Sequence, residues 1–403
     1  MPDRFFDFDR VIDRRGSDCS KWDTLENGFG LAEEAGLDEP LAMWVADMDF
    51  QSPPCVAEAV EALAKRNLFG YPGDNLAYKQ AISGWMGRRH GWDLDPDHIA
   101  TTHGLVHGTA QAIDAFTEKG DGVVMFTPIY HCFFRVINGM GRRLVDIPMQ
   151  LDAGRFHLDR EAAEAAMTGK EKMLIFCSPH NPGGRVWTRD ELAWVADFAE
   201  RHDLLIVCDE IHHDLIFPSA QARGVQHLVM AAHFPEILHR LITLTAASKT
   251  FNLAAGYTGN VIIQDSNLRK VMARHLHATG VSPNIFGMEI TRAAYTDGAP
   301  WLDALLVYLD ENRALFEQAM GEIPGVAPIM LDATYLSLID MRGTGLSESQ
   351  LDARIQQGAR IAANHGPSFG DSGLGMRRFN LACSKTRVEE AIKRLQNAFS
   401  DLQ

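Results

Sequence analysis

No two of the six cysteines in this chain form a C-x-x-C pair, and Cys177 and Cys208 lie inside apolar runs, where cysteine serves as a small hydrophobe. A disulfide framework is therefore not expected, and a reducing compartment is. No apolar stretch approaches the ~20 residues of a membrane helix. The start, Met1 to Asp7, has no basic segment followed by an apolar core, so no secretory leader is expected and the cytoplasm is the expected location. Positive charge is also scarce: 38 Lys plus Arg stand against 53 Asp plus Glu, a formal net charge of −15. Nucleic-acid binders usually carry a basic face, so neither nucleic acid nor an anionic membrane is the expected partner. Neither G-x-x-x-x-G-K-[ST] nor G-x-G-x-x-G follows any strand-like run, which argues against a nucleotide site. Internal repeats, low-complexity tracts and Gly/Ser linkers are missing as well.

What is present is a core. Hydrophobic residues make up 46% of the 403 and charged residues 23%, and the length suggests two or three domains. Short, nearly continuous apolar runs at Val123–Thr127, Leu144–Ile147, Leu174–Ser178, Leu204–Cys208, Leu241–Thr245 and Val261–Gln264 read as strands. The segments between them, about 107–118, 130–139, 159–168, 188–202 and 212–240, are helix-compatible, as are 56–67 and 75–90. This alternation predicts an α/β fold with a mostly parallel sheet covered on both faces. Past Ser282-Pro283-Asn284 the pattern changes to helices at about 301–321, 348–363 and 386–400, with strands at Tyr335–Met341 and Arg377–Ala382. The expected division is 1–50 as an N-terminal arm joining a smaller α+β domain, 51–285 as the large domain and 286–403 as the rest of the small one.

Four strand ends carry chemistry. Thr127-Pro128-Ile129-Tyr130 places an aromatic where it can stack on a flat ring or pack into the core. Ser178-Pro179-His180-Asn181-Pro182-Gly183-Gly184 projects an amide from a turn, to serve a ligand or only to cap that turn. Asp209, in Asp209-Glu210-Ile211-His212-His213-Asp214, ends a wholly apolar run, and an ionised carboxylate there needs a cationic partner such as a protonated heteroaromatic nitrogen. Lys249 follows the run Leu241–Thr245 in Ala246-Ala247-Ser248-Lys249-Thr250-Phe251-Asn252. A lysine withdrawn from water has a depressed pKa, and its neutral amine condenses with a carbonyl. Thr102-His103-Gly104-Leu105-Val106 opens a helix whose first N–H groups suit an anion such as phosphate. A metal site built from Asp209, Glu210, His212 and His213 is not expected, because successive side chains of a continuing strand point to opposite faces.

The runs Asn181-Pro182-Gly183-Gly184, Asp209-Glu210-Ile211-His212 and Ser248-Lys249-Thr250-Phe251-Asn252 resemble those of the fold-type I pyridoxal-phosphate enzymes. Trp44-Val45-Ala46-Asp47-Met48-Asp49-Phe50 and Arg378-Phe379-Asn380-Leu381-Ala382-Cys383 are similar to the MalY/PatB branch, cystathionine β-lyases or cysteine-S-conjugate β-lyases. The resemblance runs from about residue 5 to the C-terminus. It implies an aspartate-aminotransferase-like fold with a seven-stranded sheet, and pyridoxal 5'-phosphate as cofactor. It further implies that Lys249 binds the cofactor covalently, that Asp209 faces the pyridine nitrogen, that Asn181 and His212 lie at the ring 3' oxygen and that Tyr130 stacks on the ring. Gly104, Leu105, Val106 and Ser248 would cradle the phosphate, with Tyr71 reaching it from the other subunit of a homodimer. Arg378 would grip the substrate α-carboxylate, and Asp47 falls in the substrate-binding set. Two positions depart from the pattern: Ala246 stands where relatives commonly have serine, and Tyr257 where many have a basic residue. The phosphate cup is then expected to lean on backbone donors, Ser248 and Tyr71.

The reaction implied is β-elimination on L-cystathionine or a related cysteine S-conjugate, giving a thiol, pyruvate and ammonia. An aminotransferase needs the same lysine, aspartate and arginine and is the nearest rival, because one fold hosts many chemistries. A regulatory role through binding a transcription factor is the rival from another class. Loops near 44–51 and 364–375 are expected to shape the substrate pocket.

Overall fold

The structure, a computed structural model, describes residues 6–402; residues 1–5, on which much of the reading of the N-terminus rests, and Gln403 lie outside them. Seven strands form the main sheet: β1 (Ile99–Thr102), β2 (Gly122–Thr127), β3 (Arg143–Pro148), β4 (Glu171–Cys177), β5 (Leu205–Asp209), β6 (Leu241–Thr245) and β7 (Gly259–Ile262), in the order β1-β7-β6-β5-β4-β2-β3. Pairing is parallel from β6 through β5, β4 and β2 to β3, and β7 runs antiparallel to both its neighbours. Every residue of β2, β6 and β7 is buried, as expected of strands covered on both faces. The seven-stranded sheet agrees with the expectation, but β1 was not among the strands named from apolar runs. Its sequence, Ile-Ala-Thr-Thr, is too polar to stand out, and only its place at the sheet edge against β7 makes it a strand.

Helices cover the sheet: α1 (Pro54–Arg66), α2 (Leu76–His90), α3 (Leu105–Phe116), α4 (Cys132–Gly139), α5 (Arg189–Arg201), α6 (Ser266–Ala278) and α7 (Ile285–Asp297). The first five lie where the spacing predicted helices. α6, capped by the Asp265 carboxylate on the N–H groups of Asn267 and Leu268, and α7, capped by Asn284, had no counterpart among the expected elements. The helix-compatible segment 212–240 forms a turn, short helices at Pro218–Ala222 and Met230–His233 and a 3-10 segment at Pro235–Arg240. Pro218, Gly224 and Pro235 punctuate that stretch, and proline removes the donor a continuing helix requires.

The smaller unit holds α8 (Ala299–Gly321), α9 (Lys385–Ala398) and a sheet of β8 (Ala327–Pro328), β9 (Leu336–Asp340), β10 (Asn364–His365) and β11 (Met376–Asn380), ordered β8-β9-β11-β10. Phe316, Met320, Ile339, Phe379 and Leu395 close its core. The N-terminal segment joins it directly: Leu41–Ala42 pairs in parallel with Ile361–Ala362. That pairing consumes the end of the helix expected over 348–363, which stops as a helix at Glu348–Asp352 and a wider π-helical turn at Ala353–Gly358.

Candidate active site

The parallel register aligns Cys177 with Asp209 and Asp209 with Leu244, so the turns after β4, β5 and β6 share one edge of the sheet. A cavity of about 220 Å³ opens there, where open α/β sheets keep their ligands. Gly104, Leu105, Val106, Tyr130, Asn181, Asp209, His212, Ser248 and Lys249 all line it. Nine residues spread over 146 positions of sequence thus meet in one place.

Lys249 sits in the single turn Ala247–Thr250 directly after β6. Its Nζ donates to the Ala46 carbonyl at 2.5 Å. Burial lowers its pKa to about 8; the Arg378 guanidinium pushes the same way, against the pull of Asp47 and Asp209. Asp209 accepts a hydrogen bond from the Ile211 N–H at 3.1 Å, and burial pushes its carboxyl up to about 7 although the Lys249 charge opposes this. Burial, with Lys249 and Arg378 adding to it, holds His212 well below the usual histidine range, so its ring is neutral. Its buried Nδ1 has no hydrogen-bond partner. The chain after Asp209 turns rather than continuing as a strand, with Leu215 N–H donating to the His212 carbonyl. That turn sends His212 into this cavity and His213 into another.

Arg378 lies on β11, fully covered. Its Nη1 donates to the Asn181 Oδ1 at 2.8 Å, and its Nη2 to the Trp44 carbonyl at 3.1 Å and to the Asn364 Oδ1. The guanidinium stacks over the Phe369 ring, 4.7 Å from its centre. All these acceptors are neutral, whereas Arg377 next to it pairs with Glu348 and Asp352. Arg377 is therefore the salt-bridging arginine, and Arg378 is a buried cation whose charge no side chain of the described residues balances. Because Asn181 spends its oxygen on Arg378, its Nδ2 is the donor left for a ligand.

The phosphate end is built from backbone. Gly104 has φ +82, and helix α3 starts at Leu105, so its first N–H groups lack intrahelical partners. A Cβ on Gly259 would lie 2.8 Å from the Gly104 carbonyl carbon, so only glycine lets β7 back so closely against this turn. Ser248 adds a hydroxyl, and Tyr257, at φ +42, stands on the rim.

Three expected residues do not line the cavity: Arg378, which bonds to its Asn181, and Tyr71 and Asp47. Tyr71 is 101% exposed, far from water-excluding contact with its own chain's site. The Asp47 carboxylate pairs with Arg14 at 2.8 Å, while its field still reaches Lys249. The sequence reading missed the Ala46 carbonyl, Asn364, Phe369 and Tyr335, whose hydroxyl donates to Ala46 O at 3.3 Å. Three of these four fall in the loops near 44–51 and 364–375; Tyr335 carried no signal beyond being aromatic.

An amine of lowered pKa, a carboxyl short of cations, an anion-seeking helix start and a flat aromatic fit pyridoxal phosphate: aldehyde, pyridine nitrogen, phosphate and ring each have a counterpart. The fold and site define a fold-type I pyridoxal-phosphate-dependent enzyme. The chain belongs to the aminotransferase class I and II family, whose model matches residues 41–395. It is 33% identical to cystathionine beta-lyase PatB of Bacillus subtilis, over 98% of this chain and 100% of that protein. It is 31% identical to protein MalY of Escherichia coli, over 98% of each. Among solved structures, cystalysin of Treponema denticola, which contains pyridoxal 5'-phosphate, superposes with a TM-score of 0.92 at 31% identity, covering 99% of this chain and 100% of that one.

Proposed function

We propose that this protein is a pyridoxal-phosphate-dependent carbon–sulfur β-lyase acting on L-cystathionine or a related cysteine S-conjugate. The single observation that carries the reading is Arg378, a buried guanidinium without an anionic partner, bonded to the asparagine that lines the Lys249 cavity. An amino acid's α-carboxylate supplies the missing charge, and a guanidinium binds it in bidentate fashion. The likeness to PatB, itself named a cystathionine beta-lyase, supports elimination over transamination.

When bound, the cofactor supplies an electron sink for charge developing at the substrate Cα. Asp209 would hold the ring nitrogen protonated, and that positive partner would offset the burial that raises this carboxyl's pKa to about 7. Asn181 and His212 orient the ring oxygen, and Arg378 fixes the carboxylate so that the Cα–H points at Lys249. The Lys249 amine, deprotonated at little cost near pH 8, takes that proton as general base. Thiolate leaves from Cβ, and the released enamine adds water to give pyruvate and ammonia.

Incubation with cystathionine and no keto acid tests this reading. Continuous pyruvate release is the expected result; one half-turnover followed by a stall identifies a transaminase and overturns it.

The assembly proposed is a homodimer. Leu68, Phe69, Tyr71, Tyr257 and Phe286 are exposed apolar side chains, with Phe69 stacked on Phe286 at 5.5 Å, a surface suited to a second copy with Tyr71 reaching its cofactor phosphate. Mixed dimers of Lys249→Ala and Tyr71→Ala chains then contain one intact site and regain activity; no recovery contradicts the shared site. Free cysteines, five of the six buried, suit the cytoplasm as the proposed location. Among the described residues, no helix is long and apolar enough to cross a membrane.

A further inference from the structure

A second cavity, of about 660 Å³, lies behind the turn that follows β5, between the end of α2 and the start of α8. His90, His213 and Asp214 converge on it, and one ligand atom from each lies within 4.8 Å of the others. His90 Nε2 is 2.7 Å from one Asp214 carboxylate oxygen and His213 Nε2 is 3.1 Å from the other. The His213 Nδ1 is bonded to the Glu210 carbonyl oxygen, which accepts only, so this nitrogen carries the ring's proton. Its Nε2, the atom turned toward the Asp214 carboxylate, is buried and makes no well-formed hydrogen bond. An imidazole nitrogen and a carboxylate oxygen facing one another at 3.1 Å are held together by a cation, either a proton on the ring or a metal ion that takes both atoms.

We propose that His90, His213 and Asp214 bind a divalent transition-metal ion of the zinc class. Two imidazoles and one carboxylate are a zinc ligand set of the kind that leaves a fourth position open, and all three residues line the one cavity. Tetrahedral ligands at zinc distances stand about 3.3 Å apart, so the widest pair here closes by at most about 1.5 Å. The outer contacts are those of a metal-bound carboxylate and imidazole: Trp85 Nε1 and Thr250 Oγ1 donate to Asp214 at 3.0 and 2.8 Å, and the Glu210 carbonyl fixes the His213 ring. Of the two arginines in the cavity wall, Arg89 pairs with Asp303 and Arg88 donates to the Tyr295 carbonyl. His227, 6.0 Å from His90 between ring centres, is engaged with Glu210 at 3.0 Å and is not a ligand. The sequence reading looked for a metal at residues 209–213 alone; the helix α2 terminus that supplies His90 is 119 positions before Asp209.

The test uses the cofactor-loaded enzyme after dialysis against chelator, titrated with Zn²⁺ by calorimetry and with Co²⁺ in visible light. One ion per chain and the strong visible bands of four-coordinate Co²⁺ are expected. His213→Gln and His90→Gln should each weaken zinc binding at least about 100-fold, since even outer partners of a metal are worth about 10- to 100-fold. Both variants should keep the cofactor's absorbance, which reports folding, and if one fails to fold the other still decides. No zinc uptake by the unmodified protein, in which case a shared proton satisfies His213, overturns the proposal. So does uptake unchanged in a folded variant, or Co²⁺ bound without those bands.

Discussion

Asp209 and Asp214 end the same short segment and are equally buried, 5% and 6% exposed, yet they stand in opposite states. Asp209 receives one backbone N–H, and its carboxyl is pushed up to about 7. Asp214 accepts from Trp85 and Thr250 and lies 2.7 and 3.1 Å from the Nε2 atoms of His90 and His213, and despite its burial these groups hold it well below the usual carboxylate range. Burial raises a carboxyl's pKa, and partners decide whether the charge survives. The cavity with Asp209 in its wall, and with Arg378 bonded to its Asn181, is where the chain leaves charged groups short of partners, and it is the one proposed to bind cofactor and substrate. In the second cavity the carboxylate is already surrounded by donors and two imidazoles.

Substitutions should separate the two regions. Lys249→Ala removes the general base and should cut pyruvate release about 10²- to 10⁴-fold while leaving the thermal midpoint nearly unchanged. Retained turnover would break the assignment of the first cavity. Arg378→Ala strips the substrate of its carboxylate partner, a loss of about 2–5 kcal/mol in kcat/KM carried mainly by KM. An effect confined to kcat would move Arg378 out of the substrate site.

Cofactor removal sharpens the contrast through pH. In the cofactor-free protein Asp209 holds its proton up to about pH 7, whereas the unfolded chain loses it near the ordinary pKa of about 4. The native state then binds more protons than the unfolded one across that window, so this group's contribution to stability is full below it and falls as pH rises through it. A bound pyridinium removes the slope. The stability gap between loaded and cofactor-free protein should therefore widen, on the order of 3 kcal/mol, from pH 4 to pH 7. A gap independent of pH would show that Asp209 does not face the cofactor's nitrogen. The smallest effect belongs to the second cavity: Thr250→Val deletes one donor to Asp214 and should cost about 1–2 kcal/mol of stability, read by denaturant unfolding, with kcat close to native.

The comparison also marks what was readable in advance. Leu241–Thr245 was legible to the residue, because a five-residue apolar run buried on both faces has no other stable place than the middle of a sheet. Asp209 was readable as a desolvated carboxylate closing such a run, whereas Lys249, four residues past its run, stood out only with the other strand ends and the family resemblance. Ile99–Thr102 was not, since Ile99 is its only large apolar residue and its two middle residues are only half buried, so the pairing with β7 is what makes it a strand. The helix-compatible stretch 212–240 breaks into short pieces because Pro218 and Pro235 each start a new one.

Sequence by itself determined the alternation of strand and helix, the acidic balance and the residues standing at the strand ends, because burial pattern and strand length are local properties. Tertiary structure alone decided which arginine is free of acidic partners, that Asn181 gives its oxygen to Arg378, and that His212 and His213 enter different cavities. Those facts depend on groups as much as 197 positions apart meeting within hydrogen-bond distance, and no spacing along the chain encodes such a meeting.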